Sequence, residues 1–266
     1  MSESSLPAGI AEPLREPLRE LAATSRLLVA LDFDGTLAPE VDDPERAAAT
    51  PAAHAAVLRL LGIRNTRVAL VSGRALASLE QVADLPDTAL LVGSHGIELR
   101  LDDSGDAVGL SPSERRRVEA LGQILGQVAE SFDQVWVEQK PAGFALHTRL
   151  ATEENSRVAH LVALRDTSAE LDDLTVRKGK NVLEFSVRET TKGEALEHLR
   201  GFTGATAVFY AGDDVTDEDA FATLRPHDFG LRSGSGETAA AHRVPGPHEV
   251  AEVLTLLADF RESHER

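Results

Sequence analysis

Runs of apolar residues alternate with stretches of mixed polarity along most of this chain. The run Leu27–Leu31 is apolar at five successive positions, which is typical of a strand buried on both faces of a parallel sheet. Segments with apolar residues at helical spacing separate this run from later ones. The later, largely apolar runs lie at 67–71, 89–92 and 207–211. This alternation predicts an α/β fold with a parallel sheet and right-handed crossovers.

The middle of the chain follows a different order of elements. From 107 to 184 the pattern predicts helix, strand, strand, helix, strand, strand, which is the order of a small α+β unit. We therefore predict a core formed by residues 1–106 and 185–266, with a smaller α+β domain, residues 107–184, inserted into it. The first 25 residues have no continuous apolar run. We expect a peripheral helix or a loose arm there, and no signal peptide.

Composition narrows the range of partners. The formal net charge is -17, which disfavours nucleic acid and anionic membranes, although a small anionic substrate can still bind at a locally positive site. The chain has no cysteine, which excludes disulfides, zinc–thiolate sites and a cysteine nucleophile. No apolar stretch in the sequence reaches membrane-spanning length. We expect a cytoplasmic protein.

Three predicted strands are followed by residues suited to a chemical site. Each ending alone is also what a turn would contain, but the carboxyl ends of parallel strands meet at one edge of a sheet. Several carboxylates there need a hard cation, and oxygen ligands in a chain without cysteine favour Mg²⁺. The spacing does not match an EF-hand, which requires glycine and glutamate where this chain has Leu37 and Asp43. The residues concerned are Asp32 and Asp34, Ser72 and Arg74, and Asp213, Asp214 and Asp217.

The order of these motifs resembles a known family. Asp-x-Asp-Gly-Thr-Leu, Ser-Gly-Arg, a Lys-Gly pair at Lys192 and Gly-Asp-Asp-x-Thr-Asp occur in the order found in phosphatases of the haloacid dehalogenase (HAD) superfamily. The runs at 93–98, 138–149 and 212–221 are similar to those of trehalose-6-phosphate phosphatases. The resemblance covers about 27–260. It implies a HAD-like Rossmannoid parallel-sheet core with a mobile α+β cap that determines substrate specificity.

The resemblance also implies a role for each motif residue. Asp32 would be the nucleophile that takes the phosphoryl group, and Asp34 would protonate the leaving oxygen and later activate water. Ser72 would hydrogen-bond the phosphate, and Lys192 would balance its charge. Mg²⁺ would be bound or supported by Asp32, the backbone carbonyl of Asp34, Asp213, Asp214 and Asp217.

The same resemblance suggests substrate-binding residues, and for most of them a plain structural alternative exists. Arg74 is equally compatible with a solvated helix start, and His95 with a hydrogen bond to backbone. For the lysine and the glutamates of this set, the usual alternative is a solvated protein surface, and only the family resemblance favours a sugar-binding site. The predicted set is Gly73, Arg74, His95, Glu138, Lys140, Arg149 and Glu184. We expect Trp136 and Tyr210 in the core and His147 as a packing residue.

The implied reaction is Mg²⁺-dependent hydrolysis of trehalose 6-phosphate to trehalose and phosphate through an aspartyl-phosphate, the last step of trehalose biosynthesis. The pathway partner would be a trehalose-6-phosphate synthase. Two alternatives stay open: a phosphatase of the sucrose-phosphate or mannosylglycerate-phosphate type, and a non-catalytic module that senses a sugar phosphate. The presence of Asp32, Asp34, Lys192 and Asp213 disfavours the non-catalytic module.

Overall fold

A computed structural model of the chain describes residues 11–41, 43–101, 110–179 and 181–264. Its strands are β1 (Leu27–Leu31), β2 (Thr66–Val71), β3 (Leu90–Gly93), β4 (Glu98–Arg100), β5 (Trp136–Lys140), β6 (Gly143–His147), β7 (Thr175–Gly179), β8 (Val182–Ser186), β9 (Ala207–Gly212), β10 (Phe229–Ser233) and β11 (His242–Val244). Its helices are α1 (Ala11–Ala22), α2 (Pro51–Leu61), α3 (Leu76–Ala83), α4 (Pro112–Glu130), α5 (Glu153–Glu170), α6 (Lys192–Thr203), α7 (Val215–Ala222) and α8 (Pro247–His264). None of the helices in these ranges is long and apolar enough to cross a membrane.

The chain divides into two compact units, residues 1–107 with 190–266, and residues 108–189. The larger unit contains a seven-stranded sheet in the order β11-β10-β9-β1-β2-β3-β4. Its strands pair in parallel except for β4, which runs antiparallel to β3. Apolar residues of α1, α2, α3 and α8 cover one face of this sheet, and those of α6 and α7 cover the other. The predicted α/β class with a parallel sheet is confirmed.

Burial on both faces fixes the position of β1. All five residues of this strand are buried. Successive side chains point to opposite faces of a sheet, so both faces must be covered at β1. Leu27, Val29 and Leu31 enter the core beneath α1, α2 and α8, whereas Leu28 and Ala30 enter the core beneath α6 and α7. Each buried leucine or valine contributes about 1.5–3 kcal/mol to stability. Asp32, the residue that follows β1, is therefore attached to a firmly packed strand.

The N-terminal helix α1 is part of the main core, and the expectation of a peripheral helix or a loose arm is corrected here. Leu14, Leu18 and Leu21 are 5%, 0% and 3% exposed. They recur at helical spacing and pack in the same cluster as α8. The charged residues between them obscured this apolar face in the sequence.

The smaller unit consists of a four-stranded antiparallel sheet, in the order β5-β6-β8-β7, and the helices α4 and α5. Side chains alternate between the two faces of such a sheet. Leu146, Leu183 and Phe185 are buried on the face toward the helices. The opposite face carries Glu138, Lys140 and Glu184, which are exposed or half-buried.

The predicted domain boundaries differ from the division in the structure. The first predicted boundary, after residue 106, lies outside the described residues. The second, between 184 and 185, falls inside β8, where Phe185 and Ser186 pair with both β6 and β7. Arg188 also belongs with the smaller unit, because its guanidinium binds the carboxylate of Glu114 on α4. The structure places this boundary after residue 189.

Candidate active site

The central strands of the larger sheet bring the predicted site residues to one edge. β1 pairs in register with β2 and β9, so that Leu31 lies opposite Leu70 on one side and Ala211 on the other. Asp32 follows β1 at this level, and its N–H donates to Ala211 O at 2.9 Å. The residues after β2 and β9 leave the sheet on either side of Asp32.

Asp32 forms a buried ion pair with Lys192. The Lys192 Nζ lies 3.0 Å from Asp32 Oδ1, and the two side chains are 2% and 6% exposed. Lys192 is the first residue of α6, and a capping box of Thr191 and Glu194 fixes the start of this helix. Gly193 follows, where a Cβ would lie only 2.5 Å from Asp219 O. Glycine at this position therefore allows α6 to pack closely against α7.

The pKa values of this pair reflect burial and charge. Burial raises the pKa of Asp32 well above its ordinary value, although attraction to Lys192 opposes the change. Burial acts to lower the pKa of Lys192, but Asp32 and Asp217 outweigh it, so the pKa stays above its ordinary value. Lys192 Nζ is also 2.8 Å from Asp217 Oδ1. One ammonium thus faces two buried carboxylates.

Asp217 is fully buried, and four donors occupy its two oxygens. Its Oδ1 accepts from Lys192 Nζ at 2.8 Å and from the Tyr210 hydroxyl at 2.6 Å. Its Oδ2 accepts the backbone N–H groups of Asp213 and Asp214 at 3.0 and 2.9 Å. A carboxylate with four donors has little capacity left for a metal ion. Asp217 instead fixes the side chain of Lys192 and the backbone that carries Asp213.

Asp213 lies beside Asp32 in a narrow space. Ligand oxygens of Asp32, Asp213 and Asp217 all lie within 4.8 Å of one another. Gly35 has φ +73°, and a Cβ there would lie 2.0 Å from Asp213 Oδ2, so only glycine allows this approach. Burial raises the pKa of Asp213 to about 6, although a hydrogen bond with Asp32 acts in the opposite direction. Three carboxylates with one ammonium leave an excess of negative charge that favours a divalent cation.

Asp214 stands apart from this cluster, although the sequence places it in the same motif. It is exposed, and its Oδ1 accepts the Val215 N–H at 2.6 Å as the N-cap of α7. This side chain serves the start of the helix. The structure therefore does not bring Asp214 to the metal-ligating group.

Asp34 and Arg74 form a bidentate pair. Arg74 donates from Nε to Asp34 Oδ2 and from Nη2 to Asp34 Oδ1, both at 2.5 Å. Its Nη1 donates to Pro44 O at 2.8 Å, which ties the guanidinium to the segment after β1. Arg74 was predicted to bind substrate or to be solvated. In this structure it holds the carboxylate predicted to be the general acid.

Ser72, Gly73 and Arg74 form a short loop after β2, the 72–74 loop. Ser72 is 2% exposed, and its Oγ accepts the Arg74 N–H at 3.1 Å. His95 donates its backbone N–H to Ser72 O at 3.0 Å. A Cβ at Gly73 would lie 2.6 Å from His95 Cε1, so the imidazole packs directly on this glycine. This hydrogen bond comes from the backbone of His95, so both possibilities for its side chain, substrate binding and a hydrogen bond to backbone, stay predictions.

In the smaller unit, strand register brings the predicted sugar-binding residues onto one face of the sheet. Glu138 lies opposite Ala145, which lies opposite Glu184, which in turn lies opposite Arg177. Lys140 is two residues after Glu138 and therefore on the same face. Its Nζ donates to Glu138 Oε1 at 2.5 Å. Glu138, Lys140, Glu184 and Arg177 thus form a charged row across the exposed face.

His147 and Trp136 extend this face, and both predictions for them need correction. His147 Nε2 lies 2.8 Å from Glu138 Oε2, so this residue belongs to the charged face and is more than a packing residue. Trp136 is half-buried, because it lies on the face opposite α4 and α5. Its ring stacks on His147, with centroids 5.0 Å apart, and the Arg149 guanidinium lies 5.3 Å from its centroid.

A sequence model of the family described as trehalose-phosphatase matches residues 30–256. The match includes both units and each strand-end motif. The chain belongs to the trehalose-phosphatase family.

Individual proteins are similar to this chain in sequence or in fold. The trehalose-phosphate phosphatase of Mycobacterium marinum is 34% identical in an alignment of 247 positions that covers 88% of this chain and 62% of the relative. The protein of that name from Mycobacterium tuberculosis (H37Rv) is 35% identical in an alignment of 246 positions that covers 86% of this chain and 61% of the relative. The chain thus spans less than two thirds of these relatives. Aspergillus fumigatus trehalose-6-phosphate phosphatase has the same fold, with a TM-score of 0.68 at 24% identity over 92% of this chain and 97% of that one.

Two features of the site were not predicted from the sequence: one hydrogen bond and the position of one arginine. Tyr210 was expected in the core and is buried, but its hydroxyl binds Asp217, which only the fold reveals. Arg177 was not among the predicted site residues, although counting residues across the hairpin of β7 and β8 would have placed it opposite Glu184. A turn that pairs Gly179 with Val182 also pairs Arg177 with Glu184, so the register of β7 and β8 was the available signal.

Proposed function

We propose that this chain is a phosphatase that hydrolyses trehalose 6-phosphate to trehalose and inorganic phosphate. The observation that carries the proposal is the buried Asp32 carboxylate, 3.0 Å from Lys192 and clustered with Asp213. A carboxylate at a strand end beside an ammonium and further carboxylates suits phosphoryl transfer with a divalent cation. The names of the relatives, trehalose-phosphate phosphatase, supply the substrate.

In the first half-reaction, an oxygen of Asp32 attacks phosphorus, and the bond between phosphorus and the sugar oxygen breaks. Lys192 and Ser72 would balance charge on the phosphoryl oxygens, which is the main requirement of this transition state. The leaving alkoxide takes a proton from Asp34. The products of this step are trehalose and an aspartyl-phosphate on Asp32.

In the second half-reaction, Asp34 takes a proton from water while the water oxygen attacks phosphorus. The bond to Asp32 breaks, phosphate leaves, and the protonation state of Asp34 is restored. In both steps the Arg74–Asp34 pair would orient this carboxylate.

The donor set fits Mg²⁺. Asp32 and Asp213 offer carboxylate oxygens within 4.8 Å of each other, and the backbone carbonyl of Asp34 is the third proposed ligand. A cavity of about 400 Å³ opens beside Asp213 and Gly35, which leaves room for the waters that Mg²⁺ usually retains. When bound, the cation would neutralise the phosphoryl oxygens. Asp217 would support the site through its hydrogen bonds to the backbone at Asp213 and Asp214.

The charged face of the smaller unit is the proposed sugar-binding surface. Glu138, Lys140 and Glu184 present hydrogen-bonding groups of both kinds on one sheet face. Sugar hydroxyls both donate and accept, so mixed carboxylate and ammonium groups suit them. His147 and Arg149 adjoin this face through Glu138 and Trp136.

A phosphate-release panel tests the proposal. Trehalose 6-phosphate should be turned over faster than sucrose 6-phosphate, mannosylglycerate phosphate and glucose 6-phosphate, each measured with Mg²⁺ and with a chelator. Asp32→Asn should abolish turnover, because an amide cannot accept the phosphoryl group. A preference for sucrose 6-phosphate would replace the substrate and keep the chemistry. Binding of trehalose 6-phosphate without any phosphate release would favour the sensing module.

A further inference from the structure

The 72–74 loop is held from one side by the turn that follows β3. This turn comprises Ser94, His95 and Gly96 and is called the 94–96 turn. Ser94 N–H donates to Arg74 O at 2.6 Å, and His95 N–H donates to Ser72 O at 3.0 Å. Two successive residues of the turn therefore fix the backbone carbonyls before and after Gly73.

The backbone of the 94–96 turn is itself energetically unfavourable. Ser94, His95 and Gly96 have φ values of 49°, 56° and 112°. Left-handed backbone is costly for residues that carry a Cβ, and it persists only where surrounding contacts impose it. Contacts that hold this turn therefore also hold the 72–74 loop.

Glu98, the first residue of β4, supplies two such contacts. Its Oε2 accepts Ser94 Oγ–H at 2.7 Å and Leu76 N–H at 2.9 Å. Leu76 is the first residue of α3, and the N-cap residue Ala75 provides no side-chain hydrogen bond. One oxygen of Glu98 thus joins the beginning of the 94–96 turn to the helix that begins directly after the 72–74 loop.

We propose that Glu98 is a positioning residue for the phosphatase reaction. Through Ser94 and Leu76 it holds the 72–74 loop where Ser72 binds phosphate and Arg74 meets Asp34. The inference rests on the proposed function and adds a residue that contacts neither the phosphate nor the metal ligands. Loss of this carboxylate frees the hydroxyl of Ser94 and the first N–H of α3, so the loop loses support at its Arg74 end, where Ser94 N–H donates to Arg74 O.

Three variants separate positioning from simple stability. Glu98→Ala removes the acceptor, and Glu98→Gln retains an acceptor oxygen for both donors. Thr50→Ala is the control, because it deletes a side-chain cap in the same unit: Thr50 Oγ1 accepts Ala53 N–H at the start of α2. Its loss should lower thermal stability without disturbing the 72–74 loop.

Glu98→Ala should lower kcat/KM for trehalose 6-phosphate by about 10- to 100-fold, since small misplacements of positioning groups cost this much. For p-nitrophenyl phosphate, whose leaving group needs no proton, the loss should arise through Ser72 alone and should therefore be smaller. The variant's inhibition constant for inorganic phosphate should rise by at least about 3-fold as Ser72 is displaced. Amide hydrogens at 72–76 should exchange faster. Glu98→Gln should retain most of the activity, and Thr50→Ala should leave phosphate inhibition and exchange at 72–76 unchanged.

The role of Glu98 is overturned if Glu98→Ala and Thr50→Ala differ only in melting temperature. If Glu98→Ala does not fold, Ser94→Ala carries the test, because it removes one of the two donors. It should then raise the phosphate inhibition constant, and an unchanged constant would contradict the proposal. Absence of phosphate release by the unsubstituted chain would contradict the proposed function itself, which keeps the two failures distinct.

Discussion

At the level of single residues, the Arg74–Asp34 pair would orient the carboxylate proposed as the general acid. Arg74 occupies both oxygens of the carboxylate that should protonate the leaving group. A positioning role for Arg74 predicts an effect that depends on the leaving group. A role in phosphate binding predicts the same effect on all substrates. The two roles are therefore separable by kinetics.

Arg74→Ala should lower kcat/KM for trehalose 6-phosphate by roughly 10- to 100-fold, because Asp34 is no longer oriented. For p-nitrophenyl phosphate, whose leaving group needs no proton, the loss should stay below about 5-fold. Asp34→Asn should show the same selectivity with a larger loss, roughly 10²–10⁴-fold on the sugar phosphate. Equal losses on both substrates would assign Arg74 to phosphate binding, as the sequence alone suggested.

The second residue-level prediction concerns Asp213 and pH. Burial raises its pKa from 3.8 to about 6, so the folded chain without metal binds more protons there than the unfolded chain does. The stabilising contribution of this group is present below pH 3.8 and is lost as the pH rises through about 6. Mg²⁺ binds the deprotonated form, so the increase in melting temperature caused by Mg²⁺ should be small at pH 5 and larger at pH 7.5.

Asp213→Asn is the control for this titration. It removes the titrating group and a metal ligand together, so melting curves with and without Mg²⁺ should then differ little across this pH range. Chelator should abolish activity of the unsubstituted chain, and Mg²⁺ should restore it. An equal effect of Mg²⁺ on stability at pH 5 and pH 7.5 would contradict the assignment of Asp213.

At the level of elements, the parts of the site that the sequence revealed are those with local signals. Asp32 and Ser72 each follow an apolar run directly, and Asp213 follows one after a single glycine, so their common edge could be predicted from the parallel sheet alone. The role of Glu98 could not be predicted, because it depends on β4 returning antiparallel beside β3 and facing the start of α3. Contacts across separate elements have no pattern in a single sequence.

The start of helix α4 is held by a carboxylate, Glu114, that pairs with an arginine from another part of the smaller unit. Ser111 and Glu114 form a capping box, and Arg188 binds both oxygens of Glu114. Hydrogen bonds from Arg188 lower the pKa of Glu114 to about 2 from 4.5. Its contribution to stability is therefore present above pH 4.5 and is lost as the pH falls through about 2. This carboxylate joins the start of α4 to the residues after β8.

Glu114→Ala should destabilise the smaller unit by about 1.5–3 kcal/mol at neutral pH, the range for hydrogen bonds to charged groups. Thr152→Ala is the matched control, because Thr152 caps α5 of the same unit without an arginine partner. It should cost only about 1 kcal/mol. Urea unfolding measures the free energy of unfolding of both variants. If Glu114→Ala lowers it no more than Thr152→Ala does, the hydrogen bonds from Arg188 do not stabilise the unit.

At the level of the whole molecule, the two units carry separate parts of the proposed function. Asp32, Lys192 and Asp213 belong to the larger unit, whereas Glu138 and Glu184 belong to the smaller one. Phosphoryl transfer should therefore depend on the first set for every substrate. The second set should matter only for substrates with a sugar that reaches it.

Glu138→Ala and Glu184→Ala test this division of function. Each removes a carboxylate from the charged face, and an unpaired sugar hydroxyl costs about 1–3 kcal/mol. Each variant should therefore lower kcat/KM for trehalose 6-phosphate by roughly 5- to 150-fold, and barely change hydrolysis of p-nitrophenyl phosphate. Because binding energy from the remote sugar also serves the chemical step, kcat should fall together with affinity. Arg165→Ala is the control, since Arg165 is 72% exposed on α5 and away from this face. Equal losses on both substrates would place the glutamates in folding or general catalysis and remove the sugar-binding role of the smaller unit.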